Sequence, residues 1–111
     1  MIYTTAGFER GFGLEIFLKA IQCFPQKVVS EFTLITSKED LLSTANSINA
    51  SFELGESCLT LGLLKLNCLF VENIKVSKTV DYIDTAISLM NSNDTLLTLP
   101  SNKVEFNKFK I

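Results

Sequence analysis

Within the first fifty residues a strand-like run and a helix-like run alternate twice, and that order commits a chain to a parallel sheet with crossover helices. Ile2 to Ala6, "IYTTA", is β-branched or aromatic up to Thr5 and is followed by Gly7, as a short buried strand is. From Leu14 the apolar residues Ile16, Phe17, Ala20, Ile21 and Phe24 recur at helical spacing, which predicts a helix with these side chains on its buried face, stopped by Pro25. Phe32, Leu34 and Ile35 form a second strand-like run that ends at Ser37. Ser37 with Asp40 three residues on reads as a capping box, in which the hydroxyl accepts an amide of the first helical turn. Leu41, Leu42, Ala45 and Ile48 then line one face of a second helix.

The rest of the chain continues this theme with less regularity. Residues 50 to 75, punctuated by Gly55 and Gly62, read as two or three strands with turns. Val80, Ile83, Ile87 and Met90 mark a third helix from about Ser77 to Asn91, with "NSND" as its exit. "DTLLTLP", Asp94 to Pro100, is short, apolar and closed by proline, which predicts a buried parallel strand ending at Thr98. "SNKVEFNKFKI" after it opens a further helix. No repeat beyond the βα unit and no linker divides the 111 residues, so the expectation is a single partial α/β domain over 1–111.

Composition narrows the function classes. Ten Lys and Arg against twelve Asp and Glu give a net charge of −2, too little positive field to attract nucleic acid or an anionic membrane. The interleaved Lys103, Phe106, Lys108, Phe109 and Lys110 are too few to change that expectation. Hydrophobic residues make up 47% and mean hydropathy is +0.29, an apolar excess compatible with a partner surface. The most apolar stretch, Cys58 to Val71, is interrupted by Lys65 and Asn67 and falls short of the ~20 residues a spanning helix needs. With no secretory pattern at the N-terminus, the expected location is cytoplasmic. Cys23, Cys58 and Cys68 show no CxxC spacing and read as reduced, buried small hydrophobes. There is no histidine, which removes every Ser-His-Asp or Cys-His nucleophile and every His-based metal site from these 111 residues.

Two segments carry groups suited to a ligand. "GFERGFGLE" places Gly7, Gly11 and Gly13 before the first helix. Its spacing is neither GxGxxG nor a P-loop, yet glycines permit close backbone approach and the amides of a helix start favour an anion. A structural turn is the competing reading. "TLPSNK" lies where open α/β sheets bind ligands, beyond the carboxyl end of a strand, and Thr98, Ser101, Asn102 and Lys103 offer hydroxyls, an amide and a cation. A solvated polar turn is the alternative there. Asp81 with Asp84, and Glu39 with Asp40, read either as cation-binding carboxylate pairs or as solvated helix faces with a favourable dipole interaction.

Taken together these segments resemble the 4-hydroxythreonine-4-phosphate dehydrogenase (PdxA) family of pyridoxal phosphate biosynthesis. "TTAGFERGFGLEIFLKA" looks like that family's first strand, its "GDPAGIGPE" loop and its first helix, with Gly7, Gly11, Gly13 and Glu15 in register. Phe8 and Glu9 depart from its Asp-Pro, and Leu14 from its second Pro. "FTLITSKEDLLSTAN" is similar to the second strand and a helix opening with a "GDxxLL"-like stretch. In "SKTVDYIDTAISLMNSNDTLLTLPSNK", Asp94, Leu96, Thr98, Pro100, Asn102 and Lys103 match the segment that ends in "DALVTAPINK".

The resemblance implies an isocitrate/isopropylmalate dehydrogenase-like α/β domain, in part only, with a mostly parallel sheet flanked by helices. It implies a phosphorylated small molecule as ligand, with Gly11, Gly13, Thr98, Asn102 and Lys103 as the substrate-binding residues. The family oxidises a phosphorylated hydroxy amino acid with NAD and uses a divalent metal held by histidines beyond the "TAPINK" position. The expectation is therefore a truncated or degenerate member, without catalytic residues, metal ligands or cofactor of its own. A non-enzymatic binding module, and one chain of a split enzyme, remain the alternatives. Expected partners are a second copy or a separately encoded remainder.

Overall fold

A computed structural model describes residues 1–7 and 13–99. In chain order the elements are β1 (Ile2–Thr5), α1 (Gly13–Ile21), α2 (Gln26–Val29), β2 (Phe32–Thr36), α3 (Lys38–Ser47), β3 (Phe52–Leu54), β4 (Cys58–Leu61), β5 (Leu64–Phe70), α4 (Lys78–Leu89) and β6 (Thr95–Thr98). One six-stranded sheet runs β3-β4-β5-β2-β1-β6. β5, β2, β1 and β6 are mutually parallel, while β4 is antiparallel to both its neighbours. The expected α/β class with a mostly parallel sheet is what the chain adopts, and residues 50 to 75 supply three strands.

The direction of each crossover decides which face its helix covers. β1 to β2 and β2 to β5 step one way along the sheet, and β5 to β6 steps back across two strands. Right-handed crossovers then put α1 and α3 on one face and α4 on the other. α1 and α3 touch each other, the Phe17 ring meets the Phe32 ring edge-on at 5.7 Å, and α4 lies against β1, β2 and β6. The face under α1 and α3 is built from Leu34, Cys68, Leu66, Leu59 and Leu61, which the strand registers bring side by side. Beyond the reach of α4 the opposite face carries Glu53, Lys65 and Asn67 in water, the apolar-in, polar-out alternation of an antiparallel wing. The β4–β5 hairpin turns through Gly62 at φ 60°, a left-handed conformation that glycine adopts without strain.

Several elements depart from the sequence reading. α1 buries Leu14, Phe17, Leu18 and Ile21, whereas Ile16 is 60% and Phe24 47% exposed and Ala20 faces solvent. α4 buries Asp81, Tyr82 and Ala86, and Ile87 is 58% exposed. Leu42 on α3 is also exposed, and Cys23 is an exposed thiol rather than a buried one. β6 is parallel as expected but not buried: among the described residues it ends the sheet order, with Thr95, Leu97 and Thr98 exposed. The helix expected after Pro100 lies outside the described residues.

Pro25 does more than stop a helix. In extended conformation it caps α2, and its carbonyl accepts from Val28 N and Val29 N. That turn presents Gln26 to the backbone of Lys65, accepting from its N–H at 2.7 Å and donating to its carbonyl at 2.9 Å. The side-chain amide thus acts as one extra rung beside β5, below the start of its pairing with β2. Gln26→Ala is expected to lower stability by about 1 kcal/mol, because water can partly replace both bonds at this exposed site. Gln26→Glu, which keeps an acceptor and loses the donor, should fall between alanine and wild type in urea unfolding.

Candidate functional site

Open α/β sheets bind ligands beyond the carboxyl ends of their parallel strands. Here four ends lie in a row, and the ladder continues one residue past β5, β1 and β6: Val71 N donates to Thr36 O, Ala6 N to Ile35 O, and Leu99 N to Thr5 O, each at 3.0 Å. β1 and β6 are neighbours with Thr5 opposite Thr98. Ala6 after β1 and Leu99 after β6, far apart in sequence, therefore leave the sheet side by side. Among the expected ligand residues, Gly13 is the buried first residue of α1 and Thr98 is the exposed last residue of β6. Gly11, Asn102 and Lys103 lie outside the described residues. Glu15 turns to Lys19 one helical turn on, at 3.1 Å.

A second group of polar side chains gathers at the ends of β2 and β5. These adjacent strands send their chains to opposite faces, β2 to α3 and β5 to α4, while the strand order itself reverses at the β1–β6 pair, the topological switch point of this sheet. Ser37 caps α3 as expected, its hydroxyl accepting from Asp40 N at 3.1 Å. The Asp40 carboxylate does not close a reciprocal box. It accepts instead from Lys78 Nζ at 3.1 Å and from the Tyr82 hydroxyl at 3.4 Å, joining the starts of α3 and α4. Burial pushes the Tyr82 phenol above its ordinary pKa and the Asp40 charge adds to that, while the Ser37 and Thr36 hydroxyls and the Lys78 cation act against it. With its phenol fully buried, Tyr82 is placed to hold structure rather than to meet a substrate. Among the described residues the buried hydroxyl of Thr4 has no hydrogen-bond partner.

Spacing alone did hint at this group. Lys78 and Tyr82 stand at i and i+4 on one helix face, so an ammonium and a phenol share a side. What the sequence could not supply was Asp40, brought from 38 residues away by the crossover. Lys38, the next residue after the cap, donates its N–H to Glu72 at 3.1 Å and holds its ammonium 5.5 Å from the Phe70 ring centroid.

One carboxylate of each acidic pair weighed as a cation site is otherwise engaged. Asp40 pairs with Lys78, and Asp81 accepts from Lys75 N and from Val76 N, the latter at 3.2 Å. Asp84 lines an open cleft of about 270 Å³ together with Asn73, Lys75, Thr85 and Ser88. Among the described residues no three His, Cys, Asp or Glu side chains converge in a way that would hold a metal. Nor is any described helix long and apolar enough to cross a membrane. Comparison with family models, with curated proteins and with solved structures returns no match.

Proposed function

We propose that this polypeptide binds a phosphorylated small molecule in the manner of the 4-hydroxythreonine-4-phosphate dehydrogenases it resembles, and does not carry out their oxidation alone. One observation supports this above the others. The three segments of the resemblance fall on the adjacent parallel strands β2, β1 and β6 and leave the sheet at the same edge. In this reading the amides around Gly11 and Gly13 and the start of α1 approach the phosphate oxygens, an arrangement favoured by the helix dipole. The Thr98 hydroxyl, the Asn102 amide and the Lys103 ammonium complete the anion's hydrogen bonds from the β6 side.

The family's divalent metal does not fit these residues. The sequence has no histidine, and no described cluster of carboxylates or thiols replaces one. NAD-dependent hydride transfer is accordingly no part of the proposed activity.

The test is an NMR titration with 4-phosphohydroxy-threonine and, separately, inorganic phosphate. Saturable shifts at Gly11, Gly13, Thr98 and Lys103, weakened at least tenfold by Lys103→Ala, are expected. Flat spectra at millimolar ligand would remove the binding reading. Turnover of NAD by the purified chain with added Zn²⁺ or Mg²⁺ would remove the other half of the proposal.

A further inference from the structure

The chain between β5 and α4 is fastened in an unusual way. Val71 is tied to the sheet through Thr36 O, and Ser77 caps α4 by accepting from Val80 N at 3.2 Å. The five residues between them, Glu72 to Val76, are all exposed, and among the described residues they make no hydrogen bond from backbone to backbone. They are held by two carboxylates instead. Glu72 reaches out to the first amide of α3, and Asp81 reaches back from α4 to the amides of Lys75 and Val76.

We propose that residues 72–76 are a strap, closed by the carboxylates of Glu72 and Asp81, whose release opens the cleft beside α4. Asn73 and Lys75 of the strap form one wall of that cleft, and Asp81, Asp84, Thr85 and Ser88 of α4 form the other. When Asp81 lets go, one wall moves and the other does not. Ordering five exposed residues opposes the closed state, and three charge-assisted hydrogen bonds favour it, so the two terms are of similar size. A segment balanced in this way opens without the helix or the sheet unfolding. The two fasteners engage different helices, Glu72 the start of α3 and Asp81 α4, which lets either be released separately. This device is independent of phosphate binding at the β1 and β6 ends.

Amide hydrogen exchange on the full chain, read residue by residue, tests it with two variants. In wild type, Lys75 and Val76 should exchange more slowly than Asn73 and Ile74, which lack a clasp. Asp81→Asn should speed Lys75 and Val76 by about tenfold or more, and Glu72→Ala should speed Lys38 similarly, with Leu34 and Ala86 unchanged in both. The idea is overturned if Asp81→Asn leaves Lys75 and Val76 unaltered. It is equally overturned if the acceleration spreads to Leu34 and Ala86, because Asp81 would then hold the whole fold. Glu72→Ala, exposed and remote from the α4 core, gives the second reading even if Asp81→Asn folds poorly: no change at Lys38 would exclude its clasp.

Discussion

Leu18→Ala is expected to cost about 3 kcal/mol of stability, and Ile16→Ala less than about 0.5 kcal/mol, although the two residues are two apart on one helix. Leu18 is fully buried between α1 and the sheet, so truncation removes its transfer energy and leaves a cavity that close-packed neighbours only partly fill. Ile16 is 60% exposed, and alanine is the better helix former there. Urea unfolding of the two variants, compared by midpoint at constant slope, reads the difference directly. Equal losses would mean that α1 is rotated from its described register.

That pair also marks where sequence reading fails. Ile16, Ala20 and Phe24 repeat at helical spacing, and so do Leu14, Phe17, Leu18 and Ile21. Both sets satisfy periodicity, because α1 is apolar on more than one side. What selects the inner set is the seat of Phe17 on Phe32 and the contact of α1 with α3, neither of which is encoded locally. Tyr82 and Ala86 on α4 were hidden for the same reason, behind Ile83 and Ile87 as the more hydrophobic candidates. The strands were more legible, since β-branched runs closed by Ser37 and Pro100 mark their own ends at Thr36 and Thr98.

The candidate site divides along the same line. The capping hydroxyl of Ser37 acts within three residues and was visible from spacing. The juxtaposition of Thr5 with Thr98 needed the sheet order, which a right-handed α/β rule narrows but does not fix. The pairing of Asp40 with Lys78 and Tyr82, and the use of Asp81 as a backbone clasp, needed three dimensions outright. In each case a residue chosen for its charge turned out to be engaged by a neighbour no motif names.

Alkaline pH is expected to unfold the protein, and Cys68 to account for much of the effect. Burial pushes the Cys68 thiol from 9.0 up to about 12, and the nearby Cys58 adds to the shift against a small opposing backbone hydrogen bond from Leu59. Below pH 9 the folded and unfolded chains both keep this proton, so its contribution to stability is complete. Between pH 9 and about 12 the unfolded chain releases the proton while the folded chain holds it, and stability must fall as pH rises. At about 1.4 kcal/mol per pH unit the loss is on the order of 4 kcal/mol, a large share of a typical domain's total of about 5–15 kcal/mol. Tyr82, raised above 10.0, acts with the same sign at higher pH. Cys68→Ala should cost about 1 kcal/mol at pH 7 yet flatten the fall between pH 9 and 10, where Tyr82 contributes least. Chemical unfolding at half-unit steps of pH measures both slopes. Parallel losses in wild type and variant across that interval would show that the thiol is not the titrating group.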